Sequence, residues 1–187
     1  MIYDKKYSES NLIELDINEK SQFENCEFSG IKFSEFNLKS VQFTDCHFIN
    51  CNLANQSMMN SNMVGARFES CNLMGINWCI LKRVEDLKFT NCKLNFSSFQ
   101  QLKLKKISVE NCQSLDVDFS SCDLSGGIFT NSVLTGANFN GALIENADFR
   151  KAKDYLFDLR KSKVKGVKLS MPEALNLITV LGAEVEY

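Results

Sequence analysis

The stretch SSCDLSGGIFTNSVLTGANFNG, residues 120–141, places an apolar side chain at every fifth position. These positions are Leu124, Phe129, Leu134 and Phe139. An amphipathic α-helix repeats its apolar residues at a mean spacing near 3.6, and a half-buried strand repeats them every second residue. A period of five fits neither element. The stretch therefore predicts a backbone that returns to the same orientation after five residues.

The same period extends through most of the chain. One unbroken series of apolar centres runs in steps of five from Phe23 to Trp78, and a second runs from Val84 to Leu169. A short fixed period over so much of a sequence indicates a solenoid, in which each repeat packs only on its neighbours.

Three positions depart from this period. The six residues from Trp78 to Val84 predict one extra residue, a bulge that turns Lys82 outward. Ser114 and Asp154 are polar residues at centres. For Ser114 we expect a small cavity, or a hydroxyl group bonded to the backbone.

The residues around each centre also recur. A small residue stands two positions before the centre, and Asn or Asp often stands just before it. This pattern resembles the pentapeptide-repeat family, whose units read roughly Ala-Asp/Asn-Leu-x-x. The match is close in Ala-Asn-Phe-Asn-Gly (137–141) and Ala-Asp-Phe-Arg-Lys (147–151). The resemblance covers about residues 21–171.

The resemblance implies an all-β fold, a right-handed quadrilateral β-helix with four pentapeptides per coil. Residues 21–169 would form the β-helix, of about seven to eight coils. Residues twenty apart would then stack in columns inside it. One such column contains Phe28, Phe48, Phe68, Phe89, Val109, Phe129 and Phe149, and another contains Leu38, Met58, Trp78, Phe99, Phe119 and Phe139.

The open ends of a solenoid expose unpaired strand edges and need caps. We assign residues 1–20 to an irregular or strand-like N-terminal cap, with Ile13 in phase with the repeat. At the other end Ser170 fits a helix N-cap with Glu173 as its capping-box partner, so residues 170–187 predict a short α-helix followed by a short strand.

The resemblance also implies that this C-terminal element forms a homodimer, and the alternative is a lid on the last coil of a monomer. The expected dimer interface consists of the apolar residues of this element: Leu175, Leu177, Ile178, Leu181, Val185 and Tyr187.

The cysteines and the single histidine are explained by the repeat itself and do not indicate a chemical site. Four cysteines at the small position, Cys51, Cys71, Cys92 and Cys112, should stack in parallel rather than converge on a metal. Cys79 and the single histidine, His47, should face outward. We find no catalytic motif and expect no cofactor, no metal and no enzymatic activity.

The composition fits an intracellular chain. No apolar stretch is long enough to span a bilayer and the N-terminus lacks a signal-peptide core, so we expect a cytoplasmic protein with free thiols and no membrane partner. The formal net charge of −2 argues against a general nucleic-acid binder.

Charge is nevertheless banded along the sequence. Residues 82–106 carry seven basic and two acidic groups, residues 107–149 carry six acidic and no basic groups, and residues 150–168 carry eight basic and two acidic groups. Such banding is typical of a solvated surface and also steers partners of complementary charge.

Three functions remain open. The resemblance to quinolone-resistance pentapeptide proteins implies a DNA-mimicking rod that binds DNA gyrase or topoisomerase IV, although this chain has a weaker acidic character and no long loops. The alternatives are a scaffold for an unknown protein and a direct nucleic-acid binder that uses the basic zones 82–106 and 150–168. The acidic surface expected to contact a protein partner consists of Asp116, Asp118, Asp123, Glu145 and Asp148.

Overall fold

The computed structural model describes residues 1–184. Within them lie eleven short strands, three 3₁₀ segments and one α-helix. The strands are β1 (Ile2–Tyr3), β2 (Lys6–Ser8), β3 (Gln22–Glu24), β4 (Glu27–Ser29), β5 (Gln42–Thr44), β6 (His47–Ile49), β7 (Asn62–Val64), β8 (Arg67–Glu69), β9 (Arg83–Glu85), β10 (Lys88–Thr90) and β11 (Ser108–Glu110). The 3₁₀ segments are Glu9–Glu14, Phe33–Glu35 and Trp78–Ile80, and helix α1 is Glu173–Thr179.

All strand pairs are parallel and join one coil to the next. One sheet has the order β1-β3-β5-β7-β9 and the other has the order β11-β10-β8-β6-β4-β2. Phe28 pairs with Phe48, and Phe48 pairs with Phe68, so one coil takes twenty residues. Single bridges continue this spacing as far as Asp148 and Lys168. The chain is a right-handed quadrilateral β-helix that ends in a short helix, as the repeat predicts.

We number the four sides of the coil by the first centre of the main series that each contains. Side 1 begins with Phe23, side 2 with Phe28, side 3 with Phe33 and side 4 with Leu38. On every side the centre points inward, and the residues just before and after it point outward.

The predicted columns of side chains form the core. On side 2 the ring of Phe48 stacks between those of Phe28 and Phe68, at centroid distances of 5.0 and 4.8 Å. On side 4 the ring of Phe99 stacks between Trp78 and Phe119, at 5.3 and 5.1 Å. All six aromatic side chains are at most 1% exposed. Burial of each such side chain contributes about 1.5–3 kcal/mol, so the rod is stabilised mainly by this continuous apolar interior.

The polar residues of the repeat build its corners. The Oδ1 atom of Asn52 accepts a hydrogen bond from the backbone N–H of Ala54, at 3.1 Å. Asn72 and Asn77 make the same bond two residues ahead. The second residue after most centres has a positive φ, and at these positions Asn, Asp, Ser and Gly predominate. Each five-residue repeat therefore consists of an extended segment around its centre, a turn held by a polar side chain, and a corner residue in the left-handed conformation.

The extra residue predicted near Lys82 is present. Asn62 pairs with Arg83, a separation of twenty-one residues. Leu81 is buried and Lys82 is exposed, because the longer corner brings Leu81 into the inward position.

The expected phase of the N-terminal cap is wrong by one residue. Ile13 is 99% exposed, whereas the ring of Tyr7 stacks on Phe28 at a centroid distance of 5.5 Å. A second extra residue lies between Ser8 and Gln22, since Tyr7 pairs with Phe28 at a separation of twenty-one. Residues 1–20 thus supply strands to both sheets.

The structure decides two polar positions of the repeat. Ser114 is fully buried and its hydroxyl group has no hydrogen-bond partner among the described residues, so of the two expected alternatives the bond to the backbone is absent. Asp154 is not an inward centre: it is exposed with a φ of 57°, and Tyr155 and Phe157 turn inward instead.

The predicted N-cap of the C-terminal helix is also wrong. Helix α1 begins at Glu173, and Pro172 occupies the cap position without a side-chain bond. The hydroxyl group of Ser170 instead accepts a hydrogen bond from the backbone N–H of Lys151, at 2.8 Å. Ser170 thereby continues the solenoid's ladder rather than starting the helix. Of the predicted final strand, Ala183 and Glu184 are not in a strand, and Val185 to Tyr187 lie outside the described residues.

Candidate interaction surfaces

The five acidic residues expected to form one contact surface lie on different sides of the coil. Asp118 is on side 4, Asp123 and Glu145 are on side 1, and Asp148 is on side 2. Asp116 is at the corner between sides 3 and 4, with a φ of 49°. Because twenty residues wind once around the axis, an acidic run in the sequence becomes a ring and not a patch.

Three of these acids are held by the repeat itself. The backbone N–H groups of Ser120 and Ser125 bond to the carboxylates of Asp118 and Asp123, at 2.9 and 3.2 Å. Asp148 accepts bonds from the backbone and the guanidinium group of Arg150, at 3.1 and 2.7 Å. These three acids occupy the position just before a centre, so they carry out the corner-capping role of Asn52.

These bonds also set the acidity of the three groups. Burial raises the pKa of Asp118 and Asp123, but hydrogen bonds from the following serines outweigh it and leave both below their ordinary value. For Asp148 the bond from Arg150 is the largest cause of a lowered pKa. The carboxylates therefore stay ionised in the folded protein.

Asp116 and Glu145 differ from the other three. Neither side chain makes an ion pair within residues 1–184, and neither is in the capping position. Asp116 is exposed and Glu145 is half-buried. They are the two members of the set whose charge is directed to solvent.

Much of the basic surface is neutralised locally. Lys105 lies 3.4 Å from Asp123, Arg83 lies 2.7 Å from Glu85, and Arg160 lies 2.9 Å from Asp158. The pair of Lys105 and Asp123 joins neighbouring coils, whereas the other two pairs join residues two positions apart. Such exposed pairs contribute little to stability and reduce the field that a polyanion would meet.

The C-terminal element exposes two of the apolar side chains that were expected to form the dimer interface. Leu177 is 1% exposed and packs into the core, and Leu175 is half-buried. Ile178 and Leu181 are 40% and 47% exposed. Val185 and Tyr187 lie outside the described residues.

The four stacked cysteines form a continuous column. The Sγ atom of Cys71 lies 3.3 Å from the backbone nitrogen of Cys51, and the contact repeats from Cys92 to Cys71 and from Cys112 to Cys92. All four are buried free thiols. Each sulfur also bonds to a backbone carbonyl, so the column is part of the packing. No group of three or more metal-binding side chains occurs among residues 1–184.

The two outward-facing groups are placed as expected. Cys79 is exposed, and its Sγ atom lies 3.4 Å from the carbonyl oxygen of Gln100. The Nε2 atom of His47 lies 3.6 Å from a carboxylate oxygen of Glu69. Within residues 1–184 the structure has no helix long and apolar enough to cross a bilayer.

A cleft that the repeat pattern does not predict lies beside the last coil. Its volume is about 530 Å³, and residues 136–140 form its floor. Leu156, Phe157 and Val180 are among its walls. The sequence signal was the pair Tyr155 and Phe157, since Tyr155 stands at an outward position of the repeat and Phe157 at the position of the small residue.

A parallel solenoid with capped corners and a sealed core defines a repeat protein whose chemistry is confined to its outer surface. Two profiles of one family match the sequence: "Pentapeptide repeat region" over residues 21–85 and "Pentapeptide repeats (8 copies)" over residues 116–151. The chain belongs to the pentapeptide-repeat family. No curated protein sequence matches it.

Solved structures resemble this chain along nearly its full length. Full-length QnrB1, a plasmid-mediated fluoroquinolone resistance protein, is 16% identical and has a TM-score of 0.64, with 97% of this chain and 99% of that chain covered. A trypsin-treated QnrB1 is 18% identical with a TM-score of 0.65, over 99% and 97%. Rfr23 of the cyanobacterium Cyanothece 51142 is 12% identical with a TM-score of 0.35, over 87% and 95%. At the QnrB1 identities the likeness concerns the fold.

Proposed function

We propose that this protein binds DNA gyrase or topoisomerase IV by DNA mimicry and modulates the action of quinolones. The coarser function, a protein-interaction scaffold, follows from the pentapeptide-repeat fold. The end-to-end match to QnrB1 supports the finer proposal, because the rods correspond over almost the whole of both chains.

The ring of acids gives this proposal a specific form. A rod enclosed by a groove that normally holds duplex DNA is contacted from several sides at once, so acids on sides 1, 2 and 4 can all face one partner. Asp116 and Glu145 contribute most of this contact, because their charges are not already used within the rod. Asp118, Asp123 and Asp148 contribute less, since hydrogen bonds at the corners hold their carboxylates.

The test combines supercoiling by gyrase with quinolone-induced DNA cleavage, each measured with increasing amounts of the protein. We expect both to change at micromolar protein. The variant Asp116→Asn/Glu145→Gln should shift the half-effective concentration upward about tenfold. The matched control Glu14→Gln/Glu19→Gln, which removes two exposed acids near the N-terminus, should leave it unchanged.

An unchanged supercoiling rate and unchanged cleavage at micromolar protein would contradict the topoisomerase proposal. Equal effects of the two double variants would contradict the assignment of the surface. Binding to duplex DNA that weakens steeply with salt would instead favour the nucleic-acid function, because phosphate contacts release counterions.

We further propose that the protein acts as a homodimer joined at its C-terminal end. The exposed side chains of Ile178 and Leu181 support an apolar interface there. Light scattering should give twice the chain mass for the native protein and the chain mass for Ile178→Lys/Leu181→Lys. The control Met59→Lys changes an equally exposed side chain on side 4, and it should stay dimeric. A monomeric native protein would contradict the dimer.

A further inference from the structure

On side 4 the centre-to-coil backbone ladder runs from Trp78 to Asn138 and then stops. The N–H of Phe99 donates to the carbonyl of Asp118 at 2.8 Å, and the N–H of Phe119 donates to that of Asn138 at 2.8 Å. The next bond in this series would start from the N–H of Phe139. This N–H has no partner among residues 1–184, although Phe139 is only 1% exposed.

The neighbouring backbone groups are open in the same way. The N–H groups of Gly136 and Gly141 and the carbonyl of Ala137 also have no partner among the described residues. Their equivalents one coil earlier are paired: the N–H of Asp116 bonds to Thr135, and that of Ser121 bonds to Asn140, both at 2.9 Å. The N–H groups of Leu38 and Met58 on the same side also have no backbone partner among residues 1–184, but the corners that follow them are paired, from Ser40 to Met59 and from Asn60 to Ile80. Only at the last pentapeptide of side 4 are the centre and both of its corners unpaired.

The cause lies in the segment that should cover this edge. Val133 pairs with Lys153 and Leu143 pairs with Lys163, so the chain is in register on both sides of the gap. Between them the segment turns outward at Asp154, whose carboxylate accepts a hydrogen bond from the Thr135 hydroxyl group at 2.8 Å. It then closes a tight turn in which the N–H groups of residues 161 and 162 both bond to the carbonyl of residue 158.

The result is the cleft of about 530 Å³ described above. Its floor is the open edge, and its walls include Leu156, which is 51% exposed, and Val180. A buried backbone donor without a partner is costly, and the N–H of Phe139 together with the carbonyl of Ala137 is the donor and acceptor pair that one residue of a parallel strand satisfies.

We propose that this cleft binds an extended peptide segment of a partner protein as an added parallel strand. The peptide residue above Asn138 would donate its N–H to the carbonyl of Ala137 and accept the N–H of Phe139. Asn138 makes the same two bonds one coil earlier, to Val117 and Phe119.

The walls define the side chains that such a segment carries. An apolar residue of the peptide packs against Leu156 and Val180, and proline is excluded above Asn138 because the N–H there is needed. A nucleic acid does not fit this site, since the edge offers aligned backbone donors and an acceptor flanked by the carboxylates of Asp154 and Asp158. The site is independent of the acidic ring and of the topoisomerase proposal.

The probe for the test is a synthetic acetylated heptapeptide with the sequence of residues 137–143, which includes Asn138 and Leu143, the bridge residues of two successive sides. Amide signals of the full-length protein are followed by NMR as the peptide is added to millimolar concentration. We expect the signals of Gly136, Phe139 and Gly141 to shift, and hydrogen exchange at Phe139 to slow about tenfold.

Three comparisons make this result decisive. A peptide with an N-methyl group on the residue above Asn138 lacks the required donor and should shift these signals at least tenfold less; equal shifts would overturn the added-strand geometry. Leu156→Asp should weaken binding while leaving the amide spectrum of residues 22–130 unchanged. If the peptide binds only to a chain that ends at residue 184, the chain's own last residues are the occupant and the partner proposal is overturned. The absence of any shift also overturns it.

Discussion

The regular coils, residues 22–149, and the C-terminal end, residues 150–181, follow the same repeat with different results. In the regular coils every centre up to Phe129 is covered above and below, and the corners use their own polar side chains. At the end the centre at Asp154 turns outward, the ladder opens at Phe139, and apolar side chains such as Leu156 and Ile178 are exposed. The solenoid thus offers only its outward side chains where its period holds, and offers its backbone and apolar side chains as well where the period fails.

The largest expected effect is the loss of stability when a core ring is removed, and it should differ between the two regions. Phe48→Ala removes a ring stacked on both sides and should lower the free energy of unfolding by about 3–5 kcal/mol. Phe157→Ala removes a ring that is 4% exposed and has no coil above it, and should cost about 2 kcal/mol. Urea denaturation measures both. Equal losses would mean that the end is packed as tightly as the middle.

A smaller effect concerns the corners. Gly65 has a φ of +66°, and the Oδ1 atom of Asp45 occupies the place where a Cβ at position 65 would lie. Gly65→Ala should cost about 1–2 kcal/mol from backbone strain, plus the displacement of Asp45. The double variant Asp45→Ala/Gly65→Ala should therefore lose less free energy of unfolding than the sum of the losses of the two single variants.

Gly182 is the matched control for this corner. It also has a positive φ, of +89°, but within residues 1–184 no atom beyond its chain neighbours lies within 4 Å of the place of a Cβ. Gly182→Ala should show the backbone strain alone. If Gly182→Ala lowered the free energy of unfolding as much as Gly65→Ala, the displacement of Asp45 would contribute nothing and this explanation would be contradicted.

The capping carboxylates predict how stability depends on pH. The pKa values of Asp118, Asp123 and Asp148 lie below 3.8 in the folded protein, and hydrogen bonds from Arg160 lower that of Asp158 to about 2. A lowered folded pKa adds stability that is fully present above the unfolded value and is lost as the pH falls through the folded value. The free energy of unfolding should therefore decrease from about pH 5 to pH 2.

One substitution tests this assignment. Asp148→Asn should flatten the decrease below pH 5, and Glu19→Gln, at an exposed position, should leave its slope as in the native protein. A profile with the same slope in all three proteins would contradict the capping role.

The prediction that disturbs the fold least compares the reactivity of exposed and buried cysteines. Cys79 is exposed, whereas burial raises the pKa of Cys46 and of Cys122 to about 12. A thiol reagent at pH 8 should modify one cysteine rapidly in the native protein and all eight after denaturation. Cys79→Ser should abolish the rapid phase; rapid labelling that persists would show that the column opens in the native state.

Sequence periodicity predicted the regular coils because each inward position is set by local spacing. The columns through Phe48 and Phe99, the extra residue at Lys82 and the stacking of Cys71 are all confirmed. The N-terminal phase was also readable, since Ile2, Tyr7, Leu12 and Ile17 are spaced by five and lie one residue out of step with Phe23.

Other features needed the three-dimensional winding. The acidic run from Asp116 to Asp148 suggests a patch when read along the chain, although a coil of twenty residues spreads it around the rod. Ser170 suggested a helix cap, and its hydroxyl group was instead taken by the ladder at Lys151. The segment after Asp154 could not be placed, because tertiary packing of Tyr155 and Phe157 overrides the local period.

Hydrogen exchange at two equivalent amides tests the contrast between the regions most directly. Phe119 and Phe139 occupy the same position on side 4, one coil apart, and each is at most 1% exposed. Because only the N–H of Phe119 has a hydrogen-bond partner, we expect the Phe139 amide to exchange at least about a hundredfold faster in native protein. Equal protection of the two amides would show that the ladder continues through the last coil, and would contradict the account.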